Sequence, residues 1–226
     1  MSRSPSTRPV PQPGRIDEVA FGLEVLLIRH GESMAVVPGS PESADPPLSA
    51  RGAAQAAALA ARLDGKPLEA VYTSTMARAL ATGEALAAPR QLAVQARDDL
   101  REVFLGDWEH GEFRRRAAER DPEYLAFAAA GRWEAIPGAE TDDELRARTV
   151  GALTAIAGTH PSGSVAVVCH SGTINAWLAH QTGSHRSMVS SIDNTSVTQL
   201  RTDGERWLLL GVNDRHHLGD PLAPGA

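Results

Sequence analysis

The sequence predicts a three-layer α/β sandwich, with a mostly parallel central sheet flanked by helices and an antiparallel hairpin at one edge. Two short apolar runs, Val25–Ile28 and Val165–Val168, have the length and β-branched content of strands buried on both faces. Helical segments separate the predicted strands, an alternation typical of parallel sheets with crossover helices. Near the end of the chain, Asp203-Gly204 lies between two apolar runs and predicts the hairpin.

Local signals define the other elements. Ser49 resembles a helix N-cap, and the Ala-rich segment after it predicts a helix to about Leu63, where Asp64–Pro67 ends it. Residues 33–47 are rich in Pro, Ser and Gly and predict a loop. The remaining predictions are strands at 70–72 and 92–96, helices from Ser74 or Thr75 to 87, over 112–131 with a break at Pro122, from Thr141 or Asp142 to 157 and after 172 to 181, and hairpin strands at 196–201 and 206–212.

Length and composition predict one domain over residues 23–218, within a chain of 226 residues. Residues 1–22, which are rich in Pro and Ser, predict a disordered tail, and 219–226 a flexible one. Apolar residues make up 42% of the chain and aromatic residues only 4%, which favours Ala-rich helices packed on a sheet over an aromatic core.

Charge and cysteine content limit the partners. The formal charge of −6 argues against nucleic-acid binding but allows a small anion, since a few arginines set a local positive potential. No apolar run approaches the roughly 18 residues of a membrane span. Cys169 is the only cysteine, so we expect no intrachain disulfide, a reducing cytoplasmic location, and a buried, unreactive thiol.

Both histidine motifs follow the predicted buried strands. Arg29-His30-Gly31-Glu32 ends the first run and Cys169-His170-Ser171-Gly172 ends the second. Ligands of such sheets bind beyond the carboxyl ends of the strands, so we expect one shared site. On an ideal strand Arg29 and His30 face opposite ways, and we expect Gly31 to permit the sharp turn that brings both to one pocket.

These residue types suit the cleavage of a phosphate monoester through a covalent intermediate. That reaction needs a nucleophile, cations around the phosphoryl oxygens and an acid for the leaving oxygen. A neutral imidazole at His30 can attack phosphorus, and Glu102 is the candidate acid. The candidate phosphate-binding groups are Arg29, Arg78 in the first turn of its helix, and His170.

The chain resembles the histidine phosphatase superfamily, the phosphoglycerate mutase-like proteins. The resemblance rests on motifs that occur in order from about 23 to 213: RHGES at 29–33, LSARG at 48–52 with Gln55, Thr73-Ser74 with Arg78 and Thr82, LRE at 100–102 with Gly106, Trp108 and Gly111, VCHSG at 168–172, and NTSV at 194–197. It implies that His30 is phosphorylated, that Glu102 donates the proton, and that no cofactor or metal is needed.

Two departures bear on the activity. Many mutases and some phosphatases carry an Asn shortly after RHG; here Met34–Val37 stands there, so we expect Ser33 to replace that phosphate contact, with Gly172 as a further one. The interval between the acid and the second histidine looks short for a mutase that uses bisphosphoglycerate. The resemblance therefore implies a phosphatase acting on a small phosphorylated metabolite.

Two alternatives stay open: a mutase-type phosphotransferase, and a module that binds or dephosphorylates phosphoproteins. The identity of the substrate and the oligomeric state, a homodimer included, are also open. We expect the 33–47 loop and the 105–140 region to determine specificity.

Three features outside the motifs have ordinary interpretations. Arg114–Arg116 predicts a solvated helix face beside Glu112 and Glu119 more than a clamp for a substrate carboxylate. Trp133 is equally compatible with the pocket mouth and with packing. His216-His217 and Asp214 are metal-ligand types, but they have no matching cluster, so we predict no metal.

Overall fold

The computed structural model describes residues 21–219 and contains one sheet of six strands in the order β3-β2-β4-β1-β5-β6. The strands are β1 (Leu23–Arg29), β2 (Ala70–Ser74), β3 (Val94–Arg97), β4 (Gly163–Cys169), β5 (Val197–Thr202) and β6 (Trp207–Asp214). The first four run parallel, and β5 and β6 form the antiparallel hairpin at one edge. The predicted fold class is confirmed. The predicted tails lie almost entirely outside the described residues.

Six α-helices connect the strands in the described part of the chain. They are α1 (Ala50–Arg62), α2 (Ala77–Ala87), α3 (Glu112–Glu119), α4 (Pro122–Ala130), α5 (Asp142–Thr159) and α6 (Ser171–Thr182). Within residues 21–219, none of the helices is both long and apolar enough to cross a bilayer.

The two central strands alternate their side chains between two separate cores. Val25 and Leu27 of β1 face the α5 and α6 side, where they pack with Leu153 and Trp177. Leu26 and Ile28 face the α1 and α2 side, where they pack with residues such as Leu59, Ala79 and Leu86. Because helices cover both faces of the sheet, the two strands are continuous apolar runs in the sequence, the pattern that predicted them.

A third, aromatic core corrects the expectation from composition. Its members come from the segment between β3 and α5, with contributions from α5 and α6: Val103, Trp108, Phe127, Trp133, Ile136, Leu145 and Ala176, with Leu105, Phe113, Tyr124 and Ala139 packed against them. Aromatic residues are few in the chain but are concentrated here. The 105–140 region therefore has a core of its own.

The predicted helix starts are confirmed at two places and wrong at one. Ser49 caps α1 by accepting from the N–H of Gly52, and Thr141 forms a capping box with Glu144 at α5. Neither Ser74 nor Thr75 caps α2, whose N-cap is Met76 and has no side-chain cap. The Asp45 carboxylate, from the 33–47 loop, accepts from the N–H of Ala77 instead, at 3.1 and 3.0 Å.

Gly31 is needed for a different reason from the one expected. Its φ is not in the left-handed region, so the turn after β1 does not require glycine for its backbone angles. A Cβ at Gly31 would lie 2.5 Å from the carbonyl oxygen of Gly52, and a Cβ at Gly52 would lie 1.9 Å from that of Glu32. The two backbones touch, and this contact fixes the start of α1 against the end of β1.

We predict that Gly52→Ala lowers the free energy of unfolding by about 1–3 kcal/mol, because the new Cβ must displace the Glu32 backbone. Gly151→Ala in α5 is the matched control, since nothing lies within 4 Å of its Cβ position. The control should be neutral or up to about 1 kcal/mol more stable, because Ala favours helix. Urea unfolding measures both, and equal stabilities would contradict the prediction.

Candidate active site

The pairing of β1 with β4 brings the two histidine motifs together. Arg29 is in register with Cys169, so His30 and His170 leave neighbouring strands at the same level. The N–H of His30 donates to the carbonyl of Cys169 at 3.0 Å, and the centroids of the two imidazole rings are 5.0 Å apart. The predicted convergence of the two motifs is therefore present.

Arg78 connects the two imidazoles. Its Nε donates to Nε2 of His30 at 3.1 Å, and its Nη2 lies 3.4 Å from Nδ1 of His170. Asp45, which accepts from the first N–H of α2, also lies 3.5 Å from Nη1 of Arg78. The loop carboxylate thus fixes both the start of α2 and one side of the guanidinium.

Hydrogen bonds orient both rings. Nδ1 of His30 lies 2.6 Å from the carbonyl of Gly31 and so carries the proton, which leaves a lone pair on Nε2. Nε2 of His170 lies 2.8 Å from Oγ of Ser74. The assignment agrees with the guanidinium, because Arg78 donates to the ring nitrogen that faces it in each case.

Burial keeps both rings neutral. It is the main cause that lowers the pKa of His30 well below its usual value, and the charges of Arg78 and Arg29 lower it further. Burial likewise lowers the pKa of His170, with His30 and Arg78 as the next causes. A neutral imidazole with an unprotonated nitrogen is the nucleophilic form.

Arg29 and Glu102 complete the predicted group. Nη1 of Arg29 donates to the carbonyl of Ile192 at 2.6 Å, and its side chain lines the same cavity as His30. Burial lowers the pKa of Arg29 and of Arg78, and the negative charge of Glu102 partly counteracts this in both. Glu102 therefore lies near enough to both arginines for their charges to interact.

Gly172 contacts Glu102 in this structure. Its N–H donates to Oε2 of Glu102 at 3.3 Å, and a Cβ at this position would lie 2.5 Å from Oε1. The N–H of Val103 binds Oε1 at 3.0 Å. The start of α6 thus holds the carboxyl in place, and any contact of Gly172 with phosphate would add to this one.

The site opens into a cavity of about 770 Å³. Its walls come from the strand ends, from the 33–47 loop and from the 105–140 region, the two segments expected to shape specificity; they include Arg29, His30, Ser33, Ala44, Pro46, Arg78, Glu102, Phe104, Leu105, Trp108, Phe113, Arg114, Trp133, Gly172, Met188 and Asn194. Such a volume suits a whole organic ligand and not only a phosphate.

The Arg114–Arg116 run divides between two environments, which corrects the expectation of one solvated helix face. Arg115 and Arg116 both form ion pairs with Glu112, at 2.6 and 2.7 Å. Arg114 turns to the cavity rim, where it donates to Oγ of Ser33 at 3.0 Å and to the carbonyl of Met34 at 3.3 Å. Sequence alone does not tell which way each guanidinium points.

The structure also gives the environments of Trp133 and Cys169. Trp133 belongs to the aromatic core and also lines the cavity, so both interpretations hold. Cys169 is fully buried, and burial raises the pKa of its thiol.

In the described part of the chain no three His, Cys, Asp or Glu side chains gather as a metal site requires. His217 instead contacts Thr195 and Arg62.

Sequence reasoning missed several supporting residues. Asp45 lay in a segment interpreted only as a loop, and a single acid there carries no signal of its own. Thr82, whose Oγ1 accepts from the N–H of Gly31 at 3.0 Å, and Asn194, which donates to the carbonyl of His30 at 2.9 Å, belong to the recognised motifs. The motifs include both residues, but only the fold shows that Thr82 contacts the backbone of Gly31 and Asn194 that of His30.

Comparison with known proteins identifies the family. The family model described as "Histidine phosphatase superfamily (branch 1)" matches residues 25–215. The chain belongs to this superfamily. It is an enzyme of the phosphomonoesterase class, as the resemblance implied.

Named relatives of this histidine phosphatase cover most of its length. A metal-independent phosphoserine phosphatase from Arabidopsis thaliana is 32% identical over 204 residues, which is 86% of this chain and 83% of the relative. An adenosylcobalamin/alpha-ribazole phosphatase from Escherichia coli K12 is 29% identical, over 85% and 92% of the two chains. The structure of a mycobacterial glucosyl-3-phosphoglycerate phosphatase superposes with a TM-score of 0.71 at 26% identity, covering 84% and 98%.

We predict that the neutral, buried imidazoles make the histidine phosphatase less stable as the pH falls below about 6.5, the ordinary His pKa. Below that pH the unfolded chain binds protons that the folded protein does not, so stability is lost on acidification. Each ring contributes a slope of up to about 1.4 kcal/mol per pH unit. Urea unfolding of His170→Gln between pH 7 and pH 5 should show a shallower slope than the unmodified protein.

The exposed His185, replaced by Gln, is the control and should leave the slope unchanged. An identical slope for His170→Gln and the unmodified protein would show that the buried ring takes up its proton without loss of stability.

Proposed function

We propose that this enzyme hydrolyses phosphate monoesters of a small metabolite through a phosphohistidine at His30. One observation carries the proposal: the unprotonated Nε2 of His30 points to Arg78 at 3.1 Å, while Nδ1 is anchored on the Gly31 carbonyl. The ring is held in the tautomer that attack on phosphorus requires, beside a guanidinium suited to phosphoryl oxygens. The solitary, buried Cys169 supports a cytoplasmic setting.

In the first step the lone pair on Nε2 of His30 forms an N–P bond as the bond from phosphorus to the leaving oxygen breaks. The Arg78 N–H that now donates to Nε2 turns to a phosphoryl oxygen, which frees the lone pair, and Arg29 donates to the same phosphoryl group. His170 joins them in its other tautomer, with Nδ1–H donating to the phosphoryl group and Nε2 accepting from the Ser74 hydroxyl. Protonated Glu102 gives its proton to the leaving alkoxide. Ser33 and Gly172 are the further phosphate contacts in this proposal.

In the second step water attacks the phosphoryl group and the N–P bond breaks. The Glu102 carboxylate accepts a proton from the attacking water, so the same carboxyl serves as acid and then as base. The N–H groups of Val103 and Gly172 hold this carboxyl at the cavity wall, which supports its place in both steps.

The cavity rim supports a substrate with a second anionic group. Within residues 21–219 the hydrogen bonds of Arg114 go to neutral acceptors, a hydroxyl and a carbonyl, so no carboxylate neutralises its charge there. That charge extends into the site, where it lowers the pKa of His30. Phosphoserine, the substrate named for the Arabidopsis relative, carries such a second group as its carboxylate.

We predict that His30→Ala abolishes release of inorganic phosphate from p-nitrophenyl phosphate and from a panel of phosphorylated metabolites. Glu102→Gln should slow release by roughly 10²- to 10⁴-fold, because the leaving oxygen loses its proton donor. With an activated phenol as leaving group, Glu102→Gln should accumulate acid-labile, base-stable phosphoenzyme, detected with labelled phosphate.

His185→Ala, at an exposed position, is the control and should keep full activity. Acid-labile phosphoenzyme that persists in His30→Ala would refute His30 as the nucleophile. Following the products by phosphorus NMR tests the mutase alternative: interconversion of phosphate isomers without net phosphate release would overturn hydrolysis.

We predict that Arg114→Gln lowers kcat/KM for phosphoserine by on the order of 10-fold or more, the scale of one charge-assisted hydrogen bond. Its effect on O-phosphoethanolamine, which lacks the carboxylate, should be several times smaller. The ratio of kcat/KM for the two substrates is the measurement.

The neighbouring Arg115→Gln is the matched control, because Arg115 is already paired with Glu112 and Glu119. It should leave the ratio unchanged. An equal change in the ratio for both variants would mean that the effect comes from net charge and not from a contact of Arg114.

A further inference from the structure

The backbone that carries the nucleophile is held by a turn just before β5. The N–H of Thr195 donates to the carbonyl of Arg29 at 2.9 Å and lies 3.3 Å from the carbonyl of His30. The side-chain amide of Asn194 donates to the same His30 carbonyl at 2.9 Å. Arg29 is the last residue of β1 and His30 follows it. The turn therefore fixes the backbone position from which the imidazole of His30 extends.

Thr195 adopts a backbone conformation that its residue type disfavours. Its φ is +56°, in the left-handed region, and the residue is fully buried. A β-branched side chain in that region is strained, so surrounding contacts must hold it there. With this angle the chain turns into β5 directly after the Thr195 N–H has bonded to the end of β1.

The contact that holds Thr195 comes from the far end of the described chain. His217, in the 3-10 turn His216–Leu218, places Nε2 3.0 Å from Oγ1 of Thr195. The Thr195 hydroxyl has one proton, which it donates to the carbonyl of Asn194 at 2.8 Å. The ring must therefore be the donor, with its proton on Nε2.

Arg62 fixes the same tautomer from the other side. Its Nη1 lies 3.4 Å from Nδ1 of His217 and 3.0 Å from Oδ1 of Asp214, which holds the guanidinium in place. Burial and the charge of Arg62 lower the pKa of His217 to about 4, although Asp214 opposes this, so the ring is neutral at physiological pH. The network runs from the last turn of α1 through His217 to Thr195.

We propose that His217 is a positioning residue for the nucleophile: by donating to Thr195 it holds the left-handed turn that fixes the carbonyls of Arg29 and His30, and so sets the imidazole for attack. The inference rests on the proposed role of His30 as the nucleophile. The turn His216–Leu218, which does not line the cavity, would thereby affect the rate of the chemical steps.

The test is the steady-state kinetics of His217→Ala with p-nitrophenyl phosphate, measured well below its unfolding temperature. A nucleophile displaced by a fraction of an ångström should lower kcat on the order of 10- to 100-fold. KM should change by a smaller factor than kcat, because Arg78, Ser33 and Gly172 approach the phosphate from other elements and only Arg29 shares the displaced backbone. His216→Ala is the matched control: His216 is the adjacent exposed histidine, and its hydrogen bonds in the described structure are made by its backbone, from its N–H to Asp214 and from the N–H of Gly219 to its carbonyl, so they are kept.

A conservative variant separates positioning from general stability. His217→Gln keeps a neutral N–H donor for Oγ1 of Thr195 and should restore most of the kcat lost in His217→Ala. Thr195→Val keeps the shape but removes the hydroxyl, and should reproduce the loss in kcat. If His217 only stabilises the fold, His217→Ala and His216→Ala will both have the kcat of the unmodified protein per folded molecule, although His217→Ala will unfold at a lower urea concentration.

Two results would overturn the inference: unmodified kcat in folded His217→Ala, or a loss of kcat in His217→Ala that His217→Gln does not restore. These differ from failure of the proposed function. If His30→Ala keeps turning over substrate, the nucleophile is misassigned; if it is inactive while His217→Ala is fully active, only the positioning role fails.

Discussion

The register between β1 and β4 is the constraint on which the site depends. Arg29 pairs with Cys169, so the two histidines that follow stand side by side, and one guanidinium reaches both. A slip of one residue would exchange the two faces of β1 and expose its apolar side chains to the wrong core. The two helix-covered cores that fix this register therefore also fix the separation of the imidazoles.

The same arrangement concentrates positive charge beside the two histidine rings. Arg78 is buried and Arg29 half-buried beside two neutral rings, and the nearby carboxylates, Glu102 and Asp45, offset their charge only in part. Burying cations in this way disfavours folding. An anion that binds between these arginines supplies the negative charge that the folded protein does not provide. The positive potential of the same arginines also helps to keep the two imidazoles neutral. The incomplete compensation of the arginine charges thus disfavours folding and favours the phosphate binding proposed for this site.

The sequence predicted the elements and the central groups because both carry local signals: apolar runs of strand length, and polar motifs where those runs end. It did not predict the cap of α2 by Asp45, the direction of Arg114 or the support of Thr195 by His217. Each of these is a contact between distant segments, such as 195 with 217, and no local pattern encodes it. Gly31 shows the difference, since it was predicted for its backbone freedom and is needed for close packing against Gly52.

The division of cores explains how one fold can keep its chemistry while the substrate varies. His30, the proposed nucleophile, and the two arginines proposed to bind phosphate stand on elements packed in the two sheet cores, whereas the outer cavity wall has its own aromatic core. Glu102 lies at the junction, between Leu100 of a sheet core and Val103 of the aromatic one. Changes in the aromatic core can reshape the cavity without altering the strand register, and Glu102, the proposed acid, is the site group whose position they would affect first.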